Sequence, residues 1–183
     1  TLNGVPVTDV SERGEEIGRC YGEEEDASAA QHETTAQMEV ALPQFLVGFK
    51  CAAEEKDLMR QSLIGEMACD VLLGDSSPLY QRLYDEGLIN ASFGGGFDQL
   101  PGVAVLCAGG ESEQPQKVSA AILAEAQRLA REGIDPAFFE QIRRASFGAT
   151  LRALNSFENI AVSLIDGYFR HFDALRFPEA YES

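Results

Sequence analysis

Ser76-Ser-Pro-Leu-Tyr-Gln-Arg-Leu-Tyr-Asp-Glu-Gly-Leu-Ile-Asn-Ala-Ser-Phe93 reads as a short helix, a tight stop and a strand. Ser77 can cap the helix by accepting from a free backbone N–H. Pro78 suits the first helical position, where a missing N–H costs nothing. Leu79 and Leu83 stand one helical turn apart, as do Tyr80 and Tyr84. Gly87 can take the left-handed conformation that closes a helix. Ile89, Ala91 and Phe93 then alternate, which predicts one face of a strand. Ser76 and Ser77 have no His and Asp paired with them, so a serine nucleophile has no support.

Upstream, Met38, Val40 and Leu42 alternate until Pro43, which allows an edge strand or a bulge. Phe45 to Phe49 is nearly continuous apolar, which predicts a strand covered on both faces. Glu54 to Leu73 reads as a helix, with acids Glu54 and Glu55 suiting its dipole. Its apolar stripe is expected at Ile64, Met67, Ala68, Val71 and Leu72.

Downstream, strands are expected over 88–97 and 102–109, joined as a hairpin by Asp98-Gln-Leu-Pro-Gly102. A helix over 114–132 turns Val118, Ala121, Ile122 and Leu129 inward. Asp135-Pro136 starts another, running to about Leu154 with Phe138, Ile142, Ala145 and Ala149 on one side. A last helix over 159–172 carries Ile160, Leu164, Ile165, Tyr168 and Phe169, partly against the sheet and partly exposed. The pattern predicts an α+β two-layer sandwich: a mainly antiparallel sheet with helices on one face. Residues 1–35, including the run Glu23-Glu-Glu-Asp26, read as an acidic interdomain linker, and 36–183 as the ordered domain.

Composition narrows the function. The chain has 183 residues and is 45% hydrophobic, enough for one domain with a sizeable core. Its 14 basic and 30 acidic residues give a formal charge of −16. That argues against nucleic acid and anionic membranes as partners, since both need basic patches. No apolar run approaches the roughly 20 residues of a membrane span. The start at Thr1 and the lack of a signal-peptide pattern leave secretion unsupported and suggest a piece of a longer protein. Cys20, Cys51, Cys69 and Cys107 form no CxxC pair, and Cys107 is expected as a buried core thiol. A reducing, cytoplasmic setting is the simplest expectation. Gly94-Gly-Gly96 resembles a phosphate cradle in composition only, without a following helix N-terminus and Lys, and is expected to be a flexible or bulged strand end. Gly109-Gly110 reads as a strand exit.

The opening block resembles the "S-S-x-L-φ-x-x-L-R-x-x-x-G-L-x-Y" segment of the pitrilysin/insulinase family, the inverted-zincin, processing-peptidase-like metallopeptidases. Val40-Ala-Leu-Pro-Gln-Phe-Leu-Val-Gly-Phe-Lys50 and Leu83-Tyr-Asp-Glu-Gly-Leu-Ile89 are similar to segments of its cytosolic YmfH-like bacterial branch. Gly133-Ile-Asp-Pro136 and Leu154-Asn-Ser-Phe-Glu158 fit the family's helix-opening and helix-breaking positions. The resemblance covers about 36–175 and implies a β-α-β-β-α-α repeat unit. It also implies a second-half, non-catalytic domain of a zinc peptidase, forming part of a peptide-enclosing chamber. The implied partners are the missing N-terminal half, a peptide substrate, and copies or relatives in a homo- or hetero-oligomer.

Two departures matter. The family's zinc motif is H-x-x-E-H on a helix, which puts two His on adjacent turns and a Glu beside the metal-bound water. This chain has only His32 and His171, 139 positions apart, neither in that motif. No zinc ligand is expected in this chain, and zinc is expected in the parent's other half. Partner domains of the family also carry an Arg and a Tyr that hold the substrate backbone. By spacing these positions fall at Tyr84 and Asn90, neither of the expected type; they stand as candidate substrate-side contacts, where the Tyr84 hydroxyl can donate but brings no charge.

Two rival readings remain at this level. One is a structural or assembly subunit of a heteromer whose parent has lost peptidase activity; an intact H-x-x-E-H in the other half separates it from the enzyme. The other is a small-molecule-binding α+β domain unrelated to peptidases, which a ligand in the sheet–helix crevice would favour.

Overall fold

A computed structural model describes residues 29, 31–52, 57–100, 102–170 and 172–182. The chain divides into two compact units, Thr1–Thr34 and Thr35–Ser183. Of the first, only a few residues near its end are described, among them His32, which is exposed. The acidic run at 23–26, Cys20, the helix start at Glu54 and Glu55, and His171 lie outside the described residues.

The second unit opens with β1 (Gln44–Cys51), α1 (Leu58–Leu73) and α2 (Pro78–Asp85). The hairpin β2 (Gly94–Leu100) and β3 (Val103–Glu111) follows. Then come α3 (Pro115–Glu132), α4 (Pro136–Ala153), α5 (Phe157–Arg170), a 3₁₀ turn at Ala174–Arg176 and α6 (Phe177–Glu182). The sheet has order β1-β3-β2 with both pairings antiparallel, so β3 is central and β1 and β2 are the edges among the described strands. The expected α+β order is present, with a small sheet and helices packed on one of its faces.

Alternation fixes the faces. Phe45 and Phe49 of β1, Phe97 of β2, and Ala104, Leu106 and Ala108 of β3 turn toward the helices. Leu46, on the opposite face, is 77% exposed. β1 is therefore covered on one face only, not on two as its apolar run suggests. Cys107 likewise belongs to the open face and is half-buried, in register between Gly48 and Gly96. The buried thiol is instead Cys69 of α1, pushed up to about 11, chiefly by burial and then by Asp70.

α1 sits against β2 through matched large and small residues. A Cβ on Gly65 would lie 2.2 Å from the Phe97 ring, and one on Gly95 would lie 2.4 Å from Leu73 Cδ1. The helix and strand approach this closely because each presents a glycine to the other's bulk. The opposite side of α1 packs on α4 and α6: Met67 and Val71 join Ile142, Phe177 and Tyr181 in a second cluster. α1 is thus buried on two sides, and Ile64 and Ala68 of the expected stripe are exposed between them. α3 follows its pattern, with Val118 and Ile122 at 0% exposure.

Three other elements depart from their sequence patterns. α4 turns Ser146, Phe147 and Thr150 toward α6 in place of Ala145 and Ala149: the Tyr181 hydroxyl lies 2.6 Å from Ser146 Oγ, and Phe147 meets the rings of Phe177 and Tyr181. α5 rests on the 3₁₀ turn, and Arg170 Nη2 at its end donates to Ser62 Oγ on α1 (2.6 Å). Of its five expected apolar residues only Ile160 is half-buried; Leu164, Ile165, Tyr168 and Phe169 are exposed rather than partly set against the sheet. The strand expected from residue 88 begins only at Gly94, for a reason that lies in the site itself.

Candidate functional site: the edge of the sheet

The site is built by the stretch from Ser77 to Leu100. Ser77 Oγ accepts from Tyr80 N (3.1 Å), capping α2, with Pro78 at the first position. Gly87, at φ 66°, closes the helix: Leu88 N donates to Leu83 O (2.9 Å) and Gly87 N to Tyr84 O (3.0 Å). These two bonds form a Schellman stop. Leu79, Leu83, Leu88 and Ile89 are then buried together.

Asn90 does not open a strand. Its Oδ1 accepts from Ser92 N (2.8 Å) and its carbonyl from Phe93 N (3.0 Å). This turn withdraws residues 90–93 from the ladder, so Ile89 and Phe93 are buried without being strand neighbours. The Asn90 Nδ2 donates to Glu111 Oε2 (2.8 Å), and Ser92 Oγ accepts from Glu111 N (3.1 Å). The turn is thereby tied to the end of β3. Of the two positions singled out for substrate contact, Asn90 has its amide engaged in holding this turn. Tyr84 is 51% exposed. Its ring stacks on Tyr80 at 6.0 Å, Tyr80 lies 6.0 Å from Phe93, and Phe93 lies 6.2 Å from Phe45. The structure does not join Tyr84 and Asn90 in one contact, and their spacing in sequence carried no sign of the turn between them.

The turn delivers Gly94-Gly-Gly96 into β2 as regular strand, paired with Gly109, Ala108 and Cys107. The glycines are not a loose end. Gly95 faces α1, while Cβ atoms on Gly94 and Gly96 would meet nothing within 4 Å. One long side of β2 pairs with β3. The other carries backbone N–H and C=O groups that, among the described residues, no strand takes up. The only side chain the first three residues could place in the way is hydrogen.

α1, which packs on β2, carries acids on its exposed positions. Burial raises the carboxyl of Glu66 above its ordinary value; the nearby charges of Asp70 and Asp98 add to the shift, and Arg170 opposes it. Asp70 is raised too, by burial and then by Asp75. Across α3 the balance is reversed. Glu125 is held down by its hydrogen bond from Arg128 (2.7 Å), a side chain that also reaches Glu132. At the inner end of β2, Gln99 is buried and its amide donates to Gln61 Oε1 on α1.

No group of three or more His, Cys, Asp or Glu able to hold a metal ion occurs among the described residues. Among them, too, no helix is long and apolar enough to cross a membrane.

Comparison with known proteins agrees with this geometry. Residues 16–146 match the family described as the Peptidase M16 inactive domain. A Bacillus subtilis (strain 168) protein described as an uncharacterized zinc protease, YmfH, is 31% identical over 160 residues, which is 85% of this chain and 36% of that protein. The crystal structure of an M16-like protein from Alicyclobacillus acidocaldarius superposes with a TM-score of 0.72 at 25% identity, covering 79% of this chain and 35% of that one. The chain therefore spans a little over a third of the length of these relatives. It belongs to the M16 peptidase family as an inactive, non-catalytic domain.

Proposed function

We propose that this chain is the peptide-holding half of a zinc-dependent peptidase whose metal is carried by the other half. The observation that carries the reading is the edge of β2, unpaired among the described residues and open at Gly94 and Gly96, in a domain whose family is named for its inactivity. An extended peptide laid along Gly94–Leu100 can exchange main-chain hydrogen bonds with it as a fourth strand. Gly94 and Gly96 leave room for the peptide's own side chains on the open face. The exposed ring of Tyr84 on α2 is a further apolar surface with a hydroxyl that a longer peptide could meet.

The chemistry divides between the halves. Zinc in the parent's other half would polarise the scissile carbonyl and activate water. This chain binds, orients and shields: an extended peptide held on a sheet edge within a closed chamber is presented in one conformation, away from bulk water. A cytoplasmic, reducing setting suits the thiols Cys51, Cys69 and Cys107, which are all free.

Amide hydrogen exchange tests the reading. Adding an extended peptide substrate should slow exchange at β2 amides that face away from β3, and leave β1 unchanged. Unaltered exchange throughout 94–100, in a sample whose other half still cleaves that peptide, would refute it.

A further inference from the structure

α5 presents a wide apolar face that the described residues of this chain do not cover. Phe157 is 90% exposed, Val162 60%, Leu164 45%, Ile165 56% and Tyr168 77%. Phe157, Ala161, Leu164 and Tyr168 recur at spacings of four, three and four, the seam pattern of a helix that meets another apolar surface. The helix's other side is already in use. Gly167 is buried, and a Cβ there would lie 2.7 Å from Phe172 O, so the chain after α5 folds back onto it. Arg170 Nη1 pairs with Asp166 (3.1 Å) and Nη2 reaches Ser62. The apolar side is therefore turned away from α1 by fixed contacts rather than by a loose helix.

Size separates this face from ordinary surface apolar residues. A buried aromatic covers about 150–250 Å², so Phe157 and Tyr168 alone expose on the order of 300 Å². That already equals the largest patch of many monomers, about 300–600 Å². Val162, Leu164 and Ile165 carry it toward the roughly 800 Å² per partner of a stable interface.

We infer that this face of α5 is where the domain docks onto the remainder of its parent, through an apolar surface. This rests on the peptide-holding reading above, which already requires a second half, and it names the surface. Two observations choose that occupant over a second copy. The matched relatives carry nearly two-thirds of their length outside the region this chain matches. Two copies of this chain would each bring a formal charge of −16 to the contact.

The test is binding between this chain and the separately purified remainder of the parent, measured by titration calorimetry. Ile165→Asp and Tyr168→Asp lie at exposed positions and should leave the melting temperature unchanged while weakening association at least tenfold. Leu46→Asp, on the open face of the sheet, should leave association as it is. Association of the two α5 variants at wild-type strength would overturn the inference. So would sedimentation showing that the chain alone forms a dimer that Ile165→Asp dissolves, since the occupant would then be a second copy. The two readings fail separately. Peptide protection of β2 with unchanged binding of the α5 variants removes only the docking surface; loss of binding in those variants without peptide protection removes only the peptide-holding role.

Discussion

Glu66 shows how a single residue can work against the fold it sits in. Its carboxyl is raised by burial, by Asp70 and by Asp98, so the folded protein holds its proton more tightly than the unfolded chain. A raised carboxyl contributes stability that is complete below the ordinary value of 4.5 and is lost as pH climbs through the raised one. Glu66→Gln should therefore be more stable than the wild type at neutral pH, and the gain should vanish below pH 4.5. Denaturant titrations at several pH values check this; a constant difference, or a loss at pH 7, would mean the Arg170 attraction outweighs the burial. Glu140 runs the other way: hydrogen bonds from Arg143 and Arg144 hold it down at about 2, so its contribution persists until strong acid. None of this was legible in sequence, where Glu66 is one acid among thirty. Charge neighbours come from packing: α1 lies against β2, close enough for the charge of Asp98 to act on Glu66.

At the scale of elements, sequence grammar succeeded where the signal was local. The cap at Ser77, the proline at 78 and the stop at Gly87 each act within a few residues, and each is found as expected. The strand start failed because alternation at Ile89, Ala91 and Phe93 is also what a buried turn can show when its ends are anchored. Asn90 was the competing signal, since its side chain can bond the backbone two residues on. α6 was missed because six residues hold too little periodicity, although Phe177 and Tyr181, four apart, are its anchors. The α1 stripe was misplaced because a helix buried on two sides has no single apolar face. Alternation of faces along β2 makes its glycines unequal. Gly95→Ala would drive a Cβ into Leu73 Cδ1 and lie 2.8 Å from Cys107 O, and should cost about 1–3 kcal/mol as an overpacked contact. Gly96→Ala points into open space and should lose no more than about 0.5 kcal/mol. Chemical unfolding of the two variants compares them directly; equal losses would contradict the register of β2 against α1.

For the whole molecule, the absence of H-x-x-E-H and the two distant histidines were visible in the sequence at once. The candidate site was not, because an edge exists only once strand order is known. Order β1-β3-β2 leaves β1 and β2 as the two edges among the described strands, and nothing in the composition of Gly94–Leu100 distinguishes it from a central strand. The α5 face was half legible: the stripe could be counted, but whether it met the sheet depended on Arg170 and Gly167 fixing the helix the other way round. The central claim is that this domain holds the peptide and the other half cuts it. Peptide cleavage measured with each half alone and with both, after chelator treatment and zinc reloading, tests it most directly. The account predicts no cleavage by this chain alone, little by the zinc-bearing half, and a rise of at least tenfold when they are combined. Cleavage by this chain alone, or a rate from the other half that this chain does not change, would contradict it.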